Sequence, residues 1–106
     1  MKPIKRTVPA SVPARPHLLE QLKDPKYAAA YLQRIFERGE LPHLLLAMRN
    51  VAEVHGGITP IAKKAGINRS QLYRMLSFEG NPSLPKVQAI LDAMGFELSI
   101  RPKRAA

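Results

Sequence analysis

Apolar residues recur every three to four positions along most of the 106-residue chain, a pattern typical of amphipathic helices. A first helix is predicted to start at Asp24 and Pro25. Aspartate caps unpaired backbone N–H groups, and proline at the first helical position lacks only a donor that has no partner there. Gly39 ends this helix, and a second one runs from about Leu41 to His55. The apolar positions expected to face the core are Ala28, Tyr31, Leu32, Ile35 and Phe36 in the first helix and Leu41, Leu44, Leu45, Met48, Val51 and Ala52 in the second.

Three shorter helices and a strand are predicted in the second half of the chain. One helix is capped by Thr59 and runs to Ala65, and the next is capped by Asn68 and runs to about Ser77. The last is capped by Ser83 and runs from Leu84 to Met94. After Gly95, apolar and polar residues alternate from Phe96 to Arg101, which is the period of a half-buried strand. Because a lone strand leaves its backbone unpaired, we hypothesise a homodimer in which a second copy supplies the neighbouring strand.

The N-terminal stretch is rich in proline and in basic residues, namely Pro3, Pro9, Pro13 and Pro16 with Lys2, Lys5, Arg6 and Arg15. Proline disfavours a helix or an inner strand there, so residues 1–17 are predicted to form a flexible basic arm, either ordered by a partner or without a role. Residues 18–101 form one domain, and 102–106 are a basic tail. The predicted fold class is all-α: a small bundle of about five helices with one short C-terminal β-strand.

The charge of the chain points to a polyanionic partner. Lysine and arginine number 17 against 8 acidic residues, a net charge of +9, which suits DNA or RNA unless it serves solubility alone. Its distribution favours a partner, because no acidic residue occurs from Gly56 to Phe78 while Lys63, Lys64, Arg69 and Arg74 all do. The absence of cysteine excludes disulfides and fits a reducing cytosol. No apolar run is long enough to span a membrane, and the start of the chain lacks a signal peptide's apolar core.

The segment ITPIAKKAGINRSQLYRMLS, residues 58–77, has the pattern of a helix-turn-helix of the phage-repressor type. Ala62 is small where two helices would cross, and Gly66 suits the left-handed turn between them. Ile61, Ala65 and Ile67 around the turn and Leu72, Met75 and Leu76 on the second helix are expected to face inward. An ordinary helical hairpin in a small bundle is the alternative interpretation.

If those residues are buried, a defined set remains exposed on the second helix: Asn68, Arg69, Ser70, Tyr73, Arg74 and Ser77. The candidate double-stranded DNA site consists of Thr59, Lys63, Asn68, Arg69, Ser70, Gln71 and Arg74. A recognition helix enters the major groove by its N-terminal end, so Arg69, Ser70 and Arg74 are best placed to reach base edges. Arginine can donate two hydrogen bonds to guanine. Gln71 suits adenine or a phosphate, and Thr59 and Lys63 are expected to contact phosphates.

Catalysis is not expected. His17, His43 and His55 have no metal-ligand spacing, and neither a phosphate loop nor a Ser-His-Asp pattern is present. The chain is therefore predicted to be no enzyme and to hold no cofactor or metal.

From about Leu18 to Ile100, the chain resembles the addiction-module antidote proteins, which are HigA-like antitoxins with a helix-turn-helix of the XRE, or Cro/CI, type. The resemblance is specific in two stretches, DPKYAAAYL at residues 24–32 and LYRMLSFEGNPSL at residues 72–84. The resemblance implies a dimeric protein that neutralises a RelE/HigB-like toxin encoded beside it and represses its own operon at a palindromic operator. It also implies that Asn68, Arg69, Ser70, Gln71 and Arg74 contact DNA. Two alternatives stay open: a free-standing phage-type repressor without a toxin, and an RNA-binding or purely protein-binding module.

Overall fold

The computed structural model describes residues 14–103, and within that range it contains six helices and no strand. The helices are α1 (Ala14–Leu22), α2 (Pro25–Glu37), α3 (Leu41–Val54), α4 (Ile58–Ala65), α5 (Arg69–Met75) and α6 (Leu84–Ala93). The predicted all-α bundle is confirmed, with one helix more than expected. The first 13 residues of the predicted arm and residues 104–106 of the predicted tail lie outside the described residues.

Helix α1 corrects the prediction that residues 14–17 belong to a flexible arm. Pro16 is its third residue and lies in the first turn, where a backbone N–H has no partner within the helix and proline is tolerated. Arg15 anchors α1 to α3 by hydrogen bonds of 3.0 Å to Asn50 Oδ1 and to Glu53 Oε2. Leu22 at the other end of α1 is fully buried, so α1 is part of the bundle.

Helix α2 starts as predicted, with Asp24 Oδ1 accepting a hydrogen bond of 3.0 Å from the backbone N–H of Lys26. Its buried side packs against α1 and α3. Phe36 at the end of α2 and Leu41 at the start of α3 were predicted to face the core. This prediction is wrong, because the two residues are 55% and 43% exposed. Both residues lie beside a groove that no described element of this chain fills.

Helices α4 and α6 pack against each other, and α4 also contacts α3. The predicted cap of α4 is wrong: the helix begins at Ile58, and its N-cap is Gly57, whose φ of 92° is disfavoured for other residues. Ser83 holds the predicted cap position of α6 without a side-chain cap hydrogen bond. The core between the helices is aliphatic, and its largest fully buried side chains are Leu22, Leu45, Met48, Val51, Ile61, Leu72, Leu76 and Ile90.

The predicted strand from Phe96 to Arg101 is not formed in the single chain. A strand needs a neighbour to accept its backbone hydrogen bonds, and the described part of the chain supplies none. Phe96 packs on the core, whereas Leu98 is 39% exposed and Ile100 is 101% exposed. None of the described helices combines the length and the apolar character that a membrane crossing requires.

Candidate functional site

The turn between α4 and α5 has the conformation that the sequence predicts. Gly66 lies in the left-handed region, with φ 71° and ψ 31°, which glycine adopts without penalty. Its N–H donates to the carbonyl of Lys63 at 3.2 Å, and the N–H of Ile67 donates to the carbonyl of Ala62 at 2.9 Å. These bonds pair the carbonyls of Ala62 and Lys63 at the end of α4, and residues 66–68 connect α4 to α5.

Helix α5 is capped by Asn68, as predicted. Its Oδ1 accepts hydrogen bonds from the backbone N–H of Ser70 at 2.9 Å and of Gln71 at 3.4 Å. The hydroxyl of Ser70 also donates to the same oxygen, at 2.6 Å. Asn68 and Ser70 are therefore bound to each other at the start of α5.

Burial of one side of the α4–α5 pair leaves the other side exposed. Leu72 and Leu76 are fully buried, and Ile61, Ala62 and Ile67 are nearly so. The predicted inward set is confirmed for these five, whereas Ala65 and Met75 are only half-buried. All seven predicted site residues are exposed: Thr59, Lys63, Asn68, Arg69, Ser70, Gln71 and Arg74. The expectation that Tyr73 and Ser77 are exposed as well is wrong, because both residues are half-buried.

Arg69 is held between the two helices. Its Nε donates a hydrogen bond of 2.9 Å to Thr59 Oγ1 in the first turn of α4. Its guanidinium carbon lies 5.3 Å from the centre of the Tyr73 ring, within the range of a cation–π contact. The guanidinium carbon of Arg49, from α3, lies over the same ring at 4.8 Å. Sequence reasoning missed Arg49, because no local signal distinguishes a basic residue within the apolar stripe of a core helix.

Gln71 and Arg74 line a shallow cavity of about 320 Å³ beside the C-terminal end of α5. Glu79 and Lys86 line it as well, so a carboxylate lies close to the predicted site. The acid-free stretch in the sequence is therefore not an acid-free surface, because the chain folds back just after Phe78. Glu79 stands one position beyond that stretch, which is the only signal that could have identified it.

Lys63 is exposed near the C-terminal end of α4, and among residues 14–103 it makes no hydrogen bond or ion pair with another side chain. The structure thus brings Thr59 together with Arg69, and Asn68 together with Ser70 and Gln71. Gln71 and Arg74 line the same cavity, whereas Lys63 and its neighbour Lys64 stand apart from these groups. The surface offers guanidinium, ammonium, amide and hydroxyl donors, which are the groups that bind phosphate oxygens and base edges.

The three histidines lie in different surroundings. His43 Nδ1 is 3.4 Å from a carboxylate oxygen of Glu40, and the ring of His55 donates to the carbonyl of Leu22. His17 is exposed on α1. In the part of the chain that the structure describes, no three histidine or acidic side chains group as metal ligands would.

Comparison with known proteins identifies a matching family and a relative. The family model described as "Probable addiction module antidote protein" matches residues 15–102. The chain is also similar to an uncharacterized protein of Haemophilus influenzae, with 29% identity over 87 residues that cover 82% of this chain and 89% of that protein. No solved structure matches the chain. Because the family match runs from α1 through α6, the chain belongs to the family of probable addiction module antidote proteins.

Proposed function

We propose that this antidote protein is a DNA-binding antitoxin, which neutralises a toxin encoded beside it and represses its own operon. The exposed face of the α4–α5 pair carries the DNA-binding part of the proposal. It presents Lys63, Arg69 and Arg74, all within residues 56–78, a range of the sequence that holds no acidic residue, while Leu72 and Leu76 fix the opposite face in the core. A helix with this division into a buried and a cationic face suits the major groove.

In the proposed complex α5 is the recognition helix of an XRE-type helix-turn-helix. Arg69 and Arg74 donate to guanine O6 and N7, and each such contact discriminates by about 1–3 kcal/mol. Gln71 reads adenine or binds a phosphate, and Lys63 and Thr59 contact the sugar-phosphate backbone. Asn68 and Ser70 contact the DNA as well, at the start of α5, where Asn68 Oδ1 accepts a hydrogen bond from the Ser70 hydroxyl.

The antidote family implies a toxin partner in general. The resemblance described above suggests a finer identity for it, a RelE/HigB-like ribonuclease that cuts mRNA. It also suggests that the antitoxin binds a palindromic operator as a homodimer, because two-fold symmetry in the protein matches two half-sites in the DNA. The net charge of +9 is consistent with a protein that works on DNA.

One pair of measurements tests both halves of the proposal. The chain is co-expressed with the neighbouring gene product and scored for growth rescue and co-purification, and it is footprinted on its own promoter. We expect rescue together with protection of a palindrome. Growth rescue without protection would reject the DNA-binding half, and a protected operator without a toxin partner would support the free-standing repressor instead. Binding to RNA without a defined DNA site would indicate the RNA-binding alternative.

A double variant separates the two activities. Arg69→Ala with Arg74→Ala should abolish operator protection and still rescue growth, since neither side chain is needed for the core. Arg34→Ala with Arg38→Ala, which removes two exposed charges from α2 and its C-cap, is the matched control and should retain both activities. Operator binding by the Arg69→Ala/Arg74→Ala protein equal to that of the wild type would refute the placement of the recognition helix.

A further inference from the structure

An apolar groove lies on the face formed by α2, α3 and α6, and none of its lining residues belongs to the candidate DNA site. Its volume is about 330 Å³, and its deep wall is formed by the buried residues Leu32, Leu44 and Met48. Its rim is exposed, with Phe36 at 55%, Leu84 at 65% and Leu98 at 39%. Large apolar residues that cluster at a surface in this way mark a docking site more often than single exposed ones do.

The chain that borders this groove continues into an unpaired segment. Leu98 lines the groove, and two residues later Ile100 is 101% exposed, beside a second hollow that shares Phe36 with the groove. Residues 97–103 make no backbone-to-backbone hydrogen bond with any residue of the described range 14–103. The backbone donors and acceptors of this segment are therefore unpaired within the described part of the chain, and no described residue buries the side chain of Ile100.

The sequence of this segment is complementary to itself. It reads Glu97, Leu98, Ser99, Ile100, Arg101, so that a small residue is flanked by two apolar ones and then by one acid and one base. In an antiparallel pair centred on Ser99, Leu98 faces Ile100 of the second copy and Glu97 faces Arg101 of the second copy. Each apolar and each charged pair then occurs twice, as two-fold symmetry requires.

We infer that the groove and the segment 97–101 form the surface by which a second copy of this chain docks. The two segments pair as antiparallel strands about Ser99, and Ile100 of each copy is buried against the groove rim of the other. The homodimer itself is part of the proposed function, and this inference rests on it by naming the surface and the register. The Glu97 and Arg101 pairs reduce the repulsion that two chains of charge +9 exert on each other.

Arg101 can leave its partner in the single chain and pair with Glu97 of the second copy. In the single chain it pairs with Glu37 at 3.0 Å, but the two side chains are 68% and 54% exposed, and such surface pairs contribute little. Self-complementarity favours a second copy over the toxin as the occupant, because an unrelated partner would not require the segment to match its own reverse.

The first test measures the molecular mass of the full chain by sedimentation equilibrium, without DNA and without toxin. Ile100→Asp should raise the dimer dissociation constant about a hundredfold or more, because two buried isoleucines are lost per dimer. Ile100→Val, the matched control, should remain dimeric. Because Ile100 is fully exposed in the single chain, the circular dichroism spectrum and the melting temperature of the monomer should not change.

The second test fixes the register. The chain has no cysteine, so Ser99→Cys should form a disulfide-linked dimer under mild oxidation, whereas Ala30→Cys on the exposed part of α2 should not. Glu97→Arg places like charges opposite each other and should weaken the dimer about tenfold, since each dimer loses two pairs and gains two repulsions. Adding Arg101→Glu to that variant should restore the affinity, because the charges are then exchanged and still opposite.

The outcomes separate this inference from the proposed function. An Ile100→Asp protein that stays dimeric would overturn the inference alone. A wild-type chain that is monomeric at about 100 µM would overturn both the inference and the homodimer of the proposed function, while toxin binding and DNA binding keep their own tests. An Ile100→Asp protein with unchanged mass and lost toxin binding would assign the groove to the toxin instead. Dimerisation with no disulfide at Ser99→Cys would reject the register.

Discussion

Arg69 Nε donates a hydrogen bond to Thr59 Oγ1 at 2.9 Å, which joins the first residue of α5 to the first turn of α4. The two residues are ten positions apart, and both stand on the exposed side of the helix pair. The bond uses one of five guanidinium N–H donors, so the terminal nitrogens of Arg69 can still donate to another group. The side chain is thus oriented before any partner binds.

If Thr59 orients Arg69, a substitution of Thr59 should weaken operator binding because Arg69 is then no longer held in place. Thr59→Val removes the acceptor at similar volume, and we expect binding to weaken by about 1 kcal/mol, the size of one such hydrogen bond. Thr59→Ser, which keeps the hydroxyl, is the control. In a double-mutant cycle with Arg69→Ala, measured by fluorescence anisotropy, the two losses should not add. Additive losses would mean that Thr59 acts only through its own phosphate contact and does not orient Arg69.

Arg49 should contribute to DNA binding although it belongs to α3. Its guanidinium group lies over the ring of Tyr73 on α5 and is half-buried at the edge of the cationic surface. We expect Arg49→Ala to weaken binding to all DNA sequences and to lower the slope of log K against log salt by about one. Arg49→Lys, the control, should keep the slope. An unchanged slope in Arg49→Ala would limit Arg49 to packing on Tyr73.

Lys63 should act on affinity and not on sequence preference. It is exposed and forms no ion pair with another described residue, so its ammonium group is available to a phosphate. Lys63→Ala should weaken specific and non-specific DNA alike and lower the salt slope by about one. Lys26→Ala on α2 is the matched charge control. A change in the preferred base at one operator position would contradict a backbone contact.

Glu79 should oppose DNA binding. Its carboxylate shares a cavity with Gln71 and Arg74, so it brings negative charge close to the proposed phosphate and base contacts. We expect Glu79→Gln to strengthen DNA binding several-fold at low salt and by less at high salt, since salt screens the repulsion. Glu20→Gln on α1 removes the same charge elsewhere and should have little effect. Weaker binding in Glu79→Gln would instead indicate a direct contact, such as acceptance from cytosine.

Two glycines should differ in how much stability they contribute. A Cβ at Gly80 would lie 2.1 Å from the Met75 carbonyl oxygen, and this backbone atom cannot easily move. Gly80→Ala should therefore lower the free energy of unfolding by about 3 kcal/mol or more. At Gly66 a Cβ meets nothing within 4 Å, so only the left-handed φ of 71° counts and Gly66→Ala should lose about 1–2 kcal/mol.

Urea unfolding measures both glycine variants, and Gly39→Ala is the control for Gly66→Ala, with a similar φ of 72° and nothing within 4 Å. The Gly39 variant should lose as much stability and bind the operator normally. Gly66→Val should be harmed more than Gly66→Ala, because a β-branched side chain resists the left-handed turn. Equal losses at Gly66 and Gly80 would contradict the steric explanation for Gly80.

Local features of the sequence determined several elements by themselves. Asp24 and Asn68 cap their helices because a cap needs only backbone N–H groups two or three residues further on. Gly66 forms the turn because its own backbone tolerates a positive φ. The inward positions Leu72 and Leu76 follow from the period of a helix, and the exposed positions Arg69 and Arg74 follow as part of the remainder of that helix.

Packing over longer distances decided the rest. Pro16 did not prevent α1, because a first turn has unpaired N–H groups and the helix gains its stability from α2 and α3. Phe36 lies at the end of the apolar stripe of α2 but is exposed. Whether the end of such a stripe is buried depends on which other helix packs beside it. Arg49 and Tyr73 are separated by 24 positions in the sequence, so only the fold could bring them together. Alternation from Phe96 to Arg101 predicted a strand, yet a strand requires a neighbour, and no described part of the single chain provides one.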